Sequence, residues 1–250
     1  MAQFTVIEVK TTPNLERIKE YAKKYKMTPK EALEKKRIGD DYFPIRDQKI
    51  VSIGMFSVIM DKDDKFGVSA AVFAGEEKKV IEEAAKKLAT IMKTTGKPFF
   101  VTGDGRKYAL ELITGRAMNY LIEAKRKDQE IIPEVMNMLK LLTNPRNGYL
   151  KPFDVKDSMD LQAILGLGTD RTPLPDKMKY ENEDLPMLAN ETKDAVLDMA
   201  TNYAAYLEAQ GEKIKPIIYK LDEKAFKTVK IFKFKEEQEI GETDVDIDII

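Results

Sequence analysis

Four carboxylates stand where predicted elements end or begin: Glu8 on a first strand, Asp104 in a Gly-Asp-Gly turn, Asp160 at a helix entry and Asp198 inside the last long helix. Acids gathered at one edge of a sheet can hold two divalent ions, which activate water and stabilise the leaving oxygen of a phosphodiester. The sequence has no His and no Cys. That excludes Ser-His-Asp and Cys-His catalysis, a histidine base, histidine zinc sites and thiolate ligands. A metal would have to be held by oxygen, which points to Mg²⁺ or Mn²⁺. Taken singly, each such acid is more often a solvated or helix-capping group.

A second set of residues suits phosphates and bases. Arg106 and Lys107 follow the Gly-Asp-Gly turn, Arg116 lies in the next helix, and Lys125, Arg126 and Lys127 form a run with Tyr120 nearby. Cations contact backbone phosphates and aromatic rings stack on bases. The run LIEAKRKDQE also reads as a solvated helix surface, and Lys35, Lys36 and Arg37 as a basic helix end. The net charge is -1, so no global field draws the chain to nucleic acid and any such binding must use a local patch.

The elements that must position these groups follow from hydrophobic periodicity. FTVIEV (Phe4–Val9) predicts a strand, and Leu15, Ile18, Tyr21, Ala22 and Tyr25 recur at helical spacing after a Thr-Thr-Pro-Asn break. Thr28, Pro29 and Glu31 predict a capped helix start. KIVSIGMFSVIM and VSAAVFAG predict an antiparallel hairpin. A helix carrying Val80, Ile81, Ala84, Leu88 and Met92 on one side follows, then the strand PFFVTG, running parallel to the first, and its helix. IIPEVMNMLKLL adds a helix with Met136, Met138, Leu139 and Leu142 assigned to the core, and NETKDAVLDMATNYAAYLEAQG the last long one. Strands mixed with helices on both faces predict a three-layer α/β sandwich.

Composition shifts near Gly211. PIIYKL and TVKIFKF predict a basic β-hairpin, and EEQEIGETDVDIDII an acidic, aliphatic tail. The expected division is therefore 1–211 and 212–250. The tail suits capture of a protein partner or an added strand. The N-terminus lacks a signal-peptide pattern. The most apolar stretch, Ile50–Met60, is far short of the roughly 20 residues that span a bilayer. A cytoplasmic protein without membrane contact is expected.

Order and spacing together resemble the DEDD-type 3'-5' exonucleases of the ribonuclease H-like fold, closest to the predicted exonuclease family related to the proofreading domain of family-B DNA polymerases. The resemblance spans about 4–211 and rests on FTVIEV, FPIRDQKIVSIGMF, FVTGDGRKYALELITGRAMNY, DSMDLQAILGLG and DAVLDMATNYAAYLEAQG. It implies a mixed ribonuclease H-like sheet and a two-metal site. The family's first-strand Asp falls on Val6 and its Glu is kept as Glu8. In the second motif its Asn falls on Asp104 and its Asp on Ala109. In the third its Tyr falls on Asp194 and its Asp is kept as Asp198. Asp160 is kept at a supporting position.

Val6 and Ala109 offer no oxygen where two ligands belong. Two adjacent Mg²⁺ ions need several anions to offset their repulsion. The remnant site is therefore Glu8, Asp104 and Asp198, with Glu8 and Asp198 left to hold at most one weakly bound Mg²⁺ or Mn²⁺. The expected function is a degenerate, non-catalytic exonuclease-like protein that binds single-stranded DNA or RNA, or a replication or repair partner through its tail. The alternatives are a working exonuclease with a rearranged carboxylate site, and a structural protein that has inherited the fold.

Overall fold

The computed structural model describes residues 4–36, 47–60, 66–95, 99–103, 108–142, 158–160, 180–211 and 223–234. Strand β1 (Phe4–Pro13) is followed by helices α1 (Leu15–Lys24) and α2 (Pro29–Lys36), then by β2 (Gln48–Met60) and β3 (Phe66–Gly75). Helix α3 (Glu77–Thr95), strand β4 (Phe100–Thr102), helices α4 (Tyr108–Arg126) and α5 (Pro133–Leu142) and strand β5 (Ser158–Asp160) come next. Helix α6 (Leu185–Ala209) and strand β6 (Thr228–Phe232) complete the described elements.

All six strands form one mixed sheet in the order β5-β4-β1-β2-β3-β6. Strand β2 is antiparallel to both its neighbours, and the β1–β4, β4–β5 and β3–β6 pairs are parallel. The expected α/β sandwich is present in its coarse form. Alternation along β1 sends Phe4 and Val6 into a cluster with α6, and Ile7 and Val9 into a cluster with α3, α4 and α5. One helical layer thus covers each face of the sheet.

Strand β1 is longer than the β-branched run predicts. It continues through Thr11, Thr12 and Pro13 by pairing with β2, and the register shifts between Lys10 and Thr11. Ser52 faces Lys10 and Ile50 faces Thr11, so Val51 is the extra residue of a β-bulge. Pro is tolerated here because it ends the strand. Helix α6 begins five residues before the predicted Asn190, because Pro186 fits the first turn, where its missing N–H leaves no carbonyl unpaired.

The C-terminal region departs from the expected division. Strand β6 joins the main sheet beside β3, and Ala225 and Phe226 belong to the α6-side core. Gly75 makes this pairing close: its φ is +114°, and a Cβ there would overlap the Phe232 carbonyl, which accepts from the Glu76 N–H at 3.0 Å. PIIYKL and the acidic tail lie outside the described residues.

The predicted core positions hold with informative exceptions. In α3, Ile91 is buried and Met92 only partly. Met136 is 42% exposed, whereas Met138, Leu139 and Leu142 are buried. Met136 lies on the outer side of a short amphipathic helix whose inner side meets α3 and α4. Tyr25, counted on the apolar side of α1, is 51% exposed.

The tightest packing is between α6 and β2. A Cβ on Gly54 would lie 2.5 Å from Val196 Cγ2 and 2.8 Å from Thr192 Cγ2. Gly54→Ala is expected to destabilise the protein by about 1–3 kcal/mol in urea unfolding, as overpacked cores do. In the same measurement, Val196→Ala combined with Gly54→Ala should cost less than the sum of the two single changes.

Candidate functional site

The carboxyl ends of the parallel strands define one edge of the sheet. Ile7 pairs with Thr102, and Thr102 pairs with Asp160. Glu8 and Gly103 follow that row directly, so β1, β4 and β5 do bring the first-strand acid and the region around Asp160 to a common edge. In open α/β sheets, ligands bind beyond this edge. Strand β1 then runs six residues further than its pairing with β4, to Pro13, a reach of roughly 20 Å. It delivers α1 and α2 to the same end of the sheet.

Glu8 shares the α6-facing side of β1 with Phe4 and Val6. Its side chain is 13% exposed, and Oε1 lies 3.9 Å from Lys10 Nζ. Asp104, Arg106 and Lys107 lie outside the described residues. Val6 is fully buried in the apolar cluster that holds Val196, Met199 and Ala200. Ala109 is also fully buried, but in the cluster on the opposite face of the sheet.

Asp198 does not meet Glu8 across the packed surface of α6. The buried positions Leu188, Thr192, Val196, Met199, Ala200 and Tyr203 repeat along one side of the helix. At about 100° per residue, Asp194 and Asp198 fall on the other side, and both are exposed. Among the described residues no three acidic side chains gather where they could hold a metal ion. The described acids therefore form no three-ligand centre among themselves, and Asp104 and the side chain of Asp160 lie outside what is described. Val6 is apolar at the position where the resemblance places a ligand, and Asp198 is exposed on the side of α6 away from its packed face.

Two of the residues expected to contact nucleic acid, Arg116 and Tyr120, are engaged within the fold. Arg116 is 6% exposed. Its Nε donates to Glu77 Oε1 at 2.7 Å and its Nη2 to Glu77 Oε2 at 2.6 Å. The fork of the guanidinium matches a carboxylate in this bidentate way. Glu77 Oε1 also accepts from the Ile50 backbone N–H at 2.7 Å. Tyr120 donates to Glu82 Oε1 at 3.0 Å, and Lys78 Nζ lies 5.4 Å from its ring centre. Burial pushes the Tyr120 hydroxyl up to about 12, and the bond to Glu82 acts in the same direction.

Lys125 and Arg126 are exposed in the last turn of α4, where cations oppose the negative end of the helix. The acids Glu123, Asp128 and Glu130 balance them and Lys127. Asp128, at φ 51°, closes the helix, with the Gln129 N–H donating to the Ala124 carbonyl at 2.9 Å. Among the described residues, no helix is long and apolar enough to cross a bilayer. The tail assigned to a replication or repair partner lies outside the described residues.

The sequence reading missed Tyr25 as a surface group, because its spacing matches the buried Ile18 and Ala22. The available signal was the flanking KKYK, which is too polar for the middle of a core. The sequence matches no protein-family model and no curated protein.

Two outcomes follow from the engaged groups. Arg116→Met should cost about 3 kcal/mol of stability in urea unfolding, since it strands a partly buried carboxylate. Arg116→Lys should not restore it, for want of the bidentate fork. Tyr120 ionises at about 12 in the folded chain, against about 10 in the unfolded one. Its neutral form therefore contributes stability that is complete below pH about 10 and lost as pH rises towards about 12. Unfolding midpoints measured across that window should fall less steeply for Tyr120→Phe than for the parent.

Proposed function

We propose that this chain is a non-catalytic relative of the DEDD-type 3'-5' exonucleases, with a ribonuclease H-like sheet retained as a platform for single-stranded nucleic acid. The sheet order β3-β2-β1-β4-β5, in which β2 alone runs against the other strands, supports the ribonuclease H-like reading. The observation that carries the loss of catalysis is the fate of the motif positions. Val6 and Ala109 are packed into opposite cores, and Asp198 is turned outwards.

Chemistry of this class depends on preorganised charge. Two ions must sit on fixed carboxylates before water and phosphodiester can be aligned. Glu8 lies beside Lys10, no group of three acids gathers among the described residues, and the chain has no His to serve as base. Each tenfold in rate requires about 1.36 kcal/mol of transition-state stabilisation, and among the described residues no three acids gather to supply it through bound ions. A rearranged active site through Asp194 draws no support either, since Asp194 lies on the exposed side of α6.

The test is a time course on 3'-labelled single-stranded DNA with Mg²⁺ and then Mn²⁺, beside a Glu8→Ala, Asp198→Ala double variant. Neither protein is expected to shorten the strand, and both are expected to retain it in a gel shift. Degradation by the parent that the double variant lacks would overturn the non-catalytic reading. A chain that neither cuts nor retains the strand would overturn the nucleic-acid part of it.

A further inference from the structure

We infer that the α1–α2 insertion is the surface that takes the single strand, with Tyr25 stacking on a base and the lysines around it holding phosphates. This rests on the nucleic-acid reading above and assigns it to residues outside the exonuclease motifs.

The insertion is the part of the described chain where charge and exposed aromatic surface coincide. Between 14 and 36 it carries eight Lys or Arg against four Glu, a net of +4 in a chain whose total is -1. The end of α4, by contrast, sets Lys125, Arg126 and Lys127 against three acids. Single strands are bound without sequence preference by this combination of cations and open rings.

Tyr25 is 51% exposed, although the small core beneath α1 covers Ile18 and Ala22 almost completely. The Tyr21 and Tyr25 rings lie 4.5 Å apart at 42°, and Lys24 Nζ is 5.3 Å from the Tyr25 centre. Tyr25 ends α1 and Lys26 continues at φ 51°, with the Met27 N–H donating to the Ala22 carbonyl at 3.0 Å. This closing turn fixes the ring's position, and Met27 packs into the small core.

The insertion is also anchored. The Asn14 N–H donates to the Asp47 carbonyl at 2.7 Å, and Arg17 Nε lies 3.8 Å from the carboxylate of buried Asp47. At the start of α2, the Thr28 N–H donates to Glu31 Oε2 at 2.7 Å while the Glu31 N–H donates to Thr28 Oγ1 at 3.2 Å. The patch is therefore a preformed surface at the carboxyl edge of β1, where ligands of α/β sheets bind. Base faces are open only in unpaired strands, so the geometry favours a single strand over a duplex.

The experiment is fluorescence anisotropy of fluorescein-labelled oligothymidylate and oligouridylate with the full chain, over a range of KCl concentrations. Tyr25→Ala should weaken binding roughly 5- to 150-fold, the range for loss of one stacked base, while Tyr25→Phe should retain it. Lys24→Gln combined with Lys26→Gly should lower the slope of log affinity against log salt by about 1.4, or about 0.7 for each lost contact. Lys26→Gly relieves a left-handed residue, so its melting temperature should hold or rise, which separates lost binding from lost folding. Equal binding by parent and Tyr25→Ala would overturn the inference and leave the nucleic-acid reading standing. A loss confined to Lys125→Gln, Arg126→Gln would place the strand on α4 and overturn it too. No binding by the parent would remove both. An unlabelled duplex competing as well as the single strand would refute the stacking role.

Discussion

Helix α6 lies so close over β2 that Gly54 has no room for a methyl group. Helix and sheet meet there with no intervening side chain on the sheet side, and the neighbouring contacts are set by that distance. Gly103 lies under the same helix, with Met199 filling the space its Cβ would need. Val6 is buried in this seam, and burial of such a side chain contributes about 1.5–3 kcal/mol. A carboxylate in its place would need a cation or hydrogen bonds to offset desolvation. An apolar residue at position 6 therefore suits the closed seam. Where Val6 packs, its side chain supplies no oxygen ligand of the kind that divalent ions require.

The opposite face is organised by charge as well as by apolar packing. Strand β2 pairs with β3 as far as Ser52 and Ala74, so the Ile50 N–H lies beyond the last rung. Glu77, at the start of the helix that follows β3, takes that N–H and also clamps Arg116. One carboxylate thus ties together β2, α3 and α4. Elsewhere on α3, Glu82 accepts from Tyr120, and Glu83 pairs with Lys86 and with Lys230 of β6. Arg116 and Tyr120, which in sequence resemble nucleic-acid contacts, serve here to hold helices and strands in register.

Much of the fold was legible because it rests on local pattern. Continuous apolar runs marked β2 and β3, period-3.6 runs marked α3 and α6, and Thr28 with Glu31 marked the start of α2. Pairing beyond local pattern was not legible. Thr11–Pro13 reads as a break and becomes strand only because β2 lies alongside, with Val51 bulged to restore the register. TVKIF reads as half of a separate hairpin, yet it joins β3 because Gly75 lets the Phe232 carbonyl approach. At the candidate site, the want of an oxygen ligand at positions 6 and 109 could be read from residue type. Which way Asp198 faces could not, because apolar residues flank it on both sides (Ala195–Leu197 and Met199–Ala200) and the buried side is settled only by packing on the sheet. The burial of Arg116 likewise depended on Glu77, distant in sequence.

The seam under α6 is filled by apolar packing, and the sheet carries separate elements at its ends. The α1–α2 insertion has its own small core of Ile18, Ala22 and Ala32. Its outer residues can therefore change without disturbing the packing under α6. Electrostatics permits the same separation. At physiological salt, charges act over about 8 Å, so a local excess of +4 is felt by a nearby phosphate even though the whole chain is slightly acidic. A metal centre needs ligands from several elements held in fixed register. A stacking ring among lysines needs only one anchored helix end, so the surface proposed on α1 and α2 does not depend on the packing at position 6.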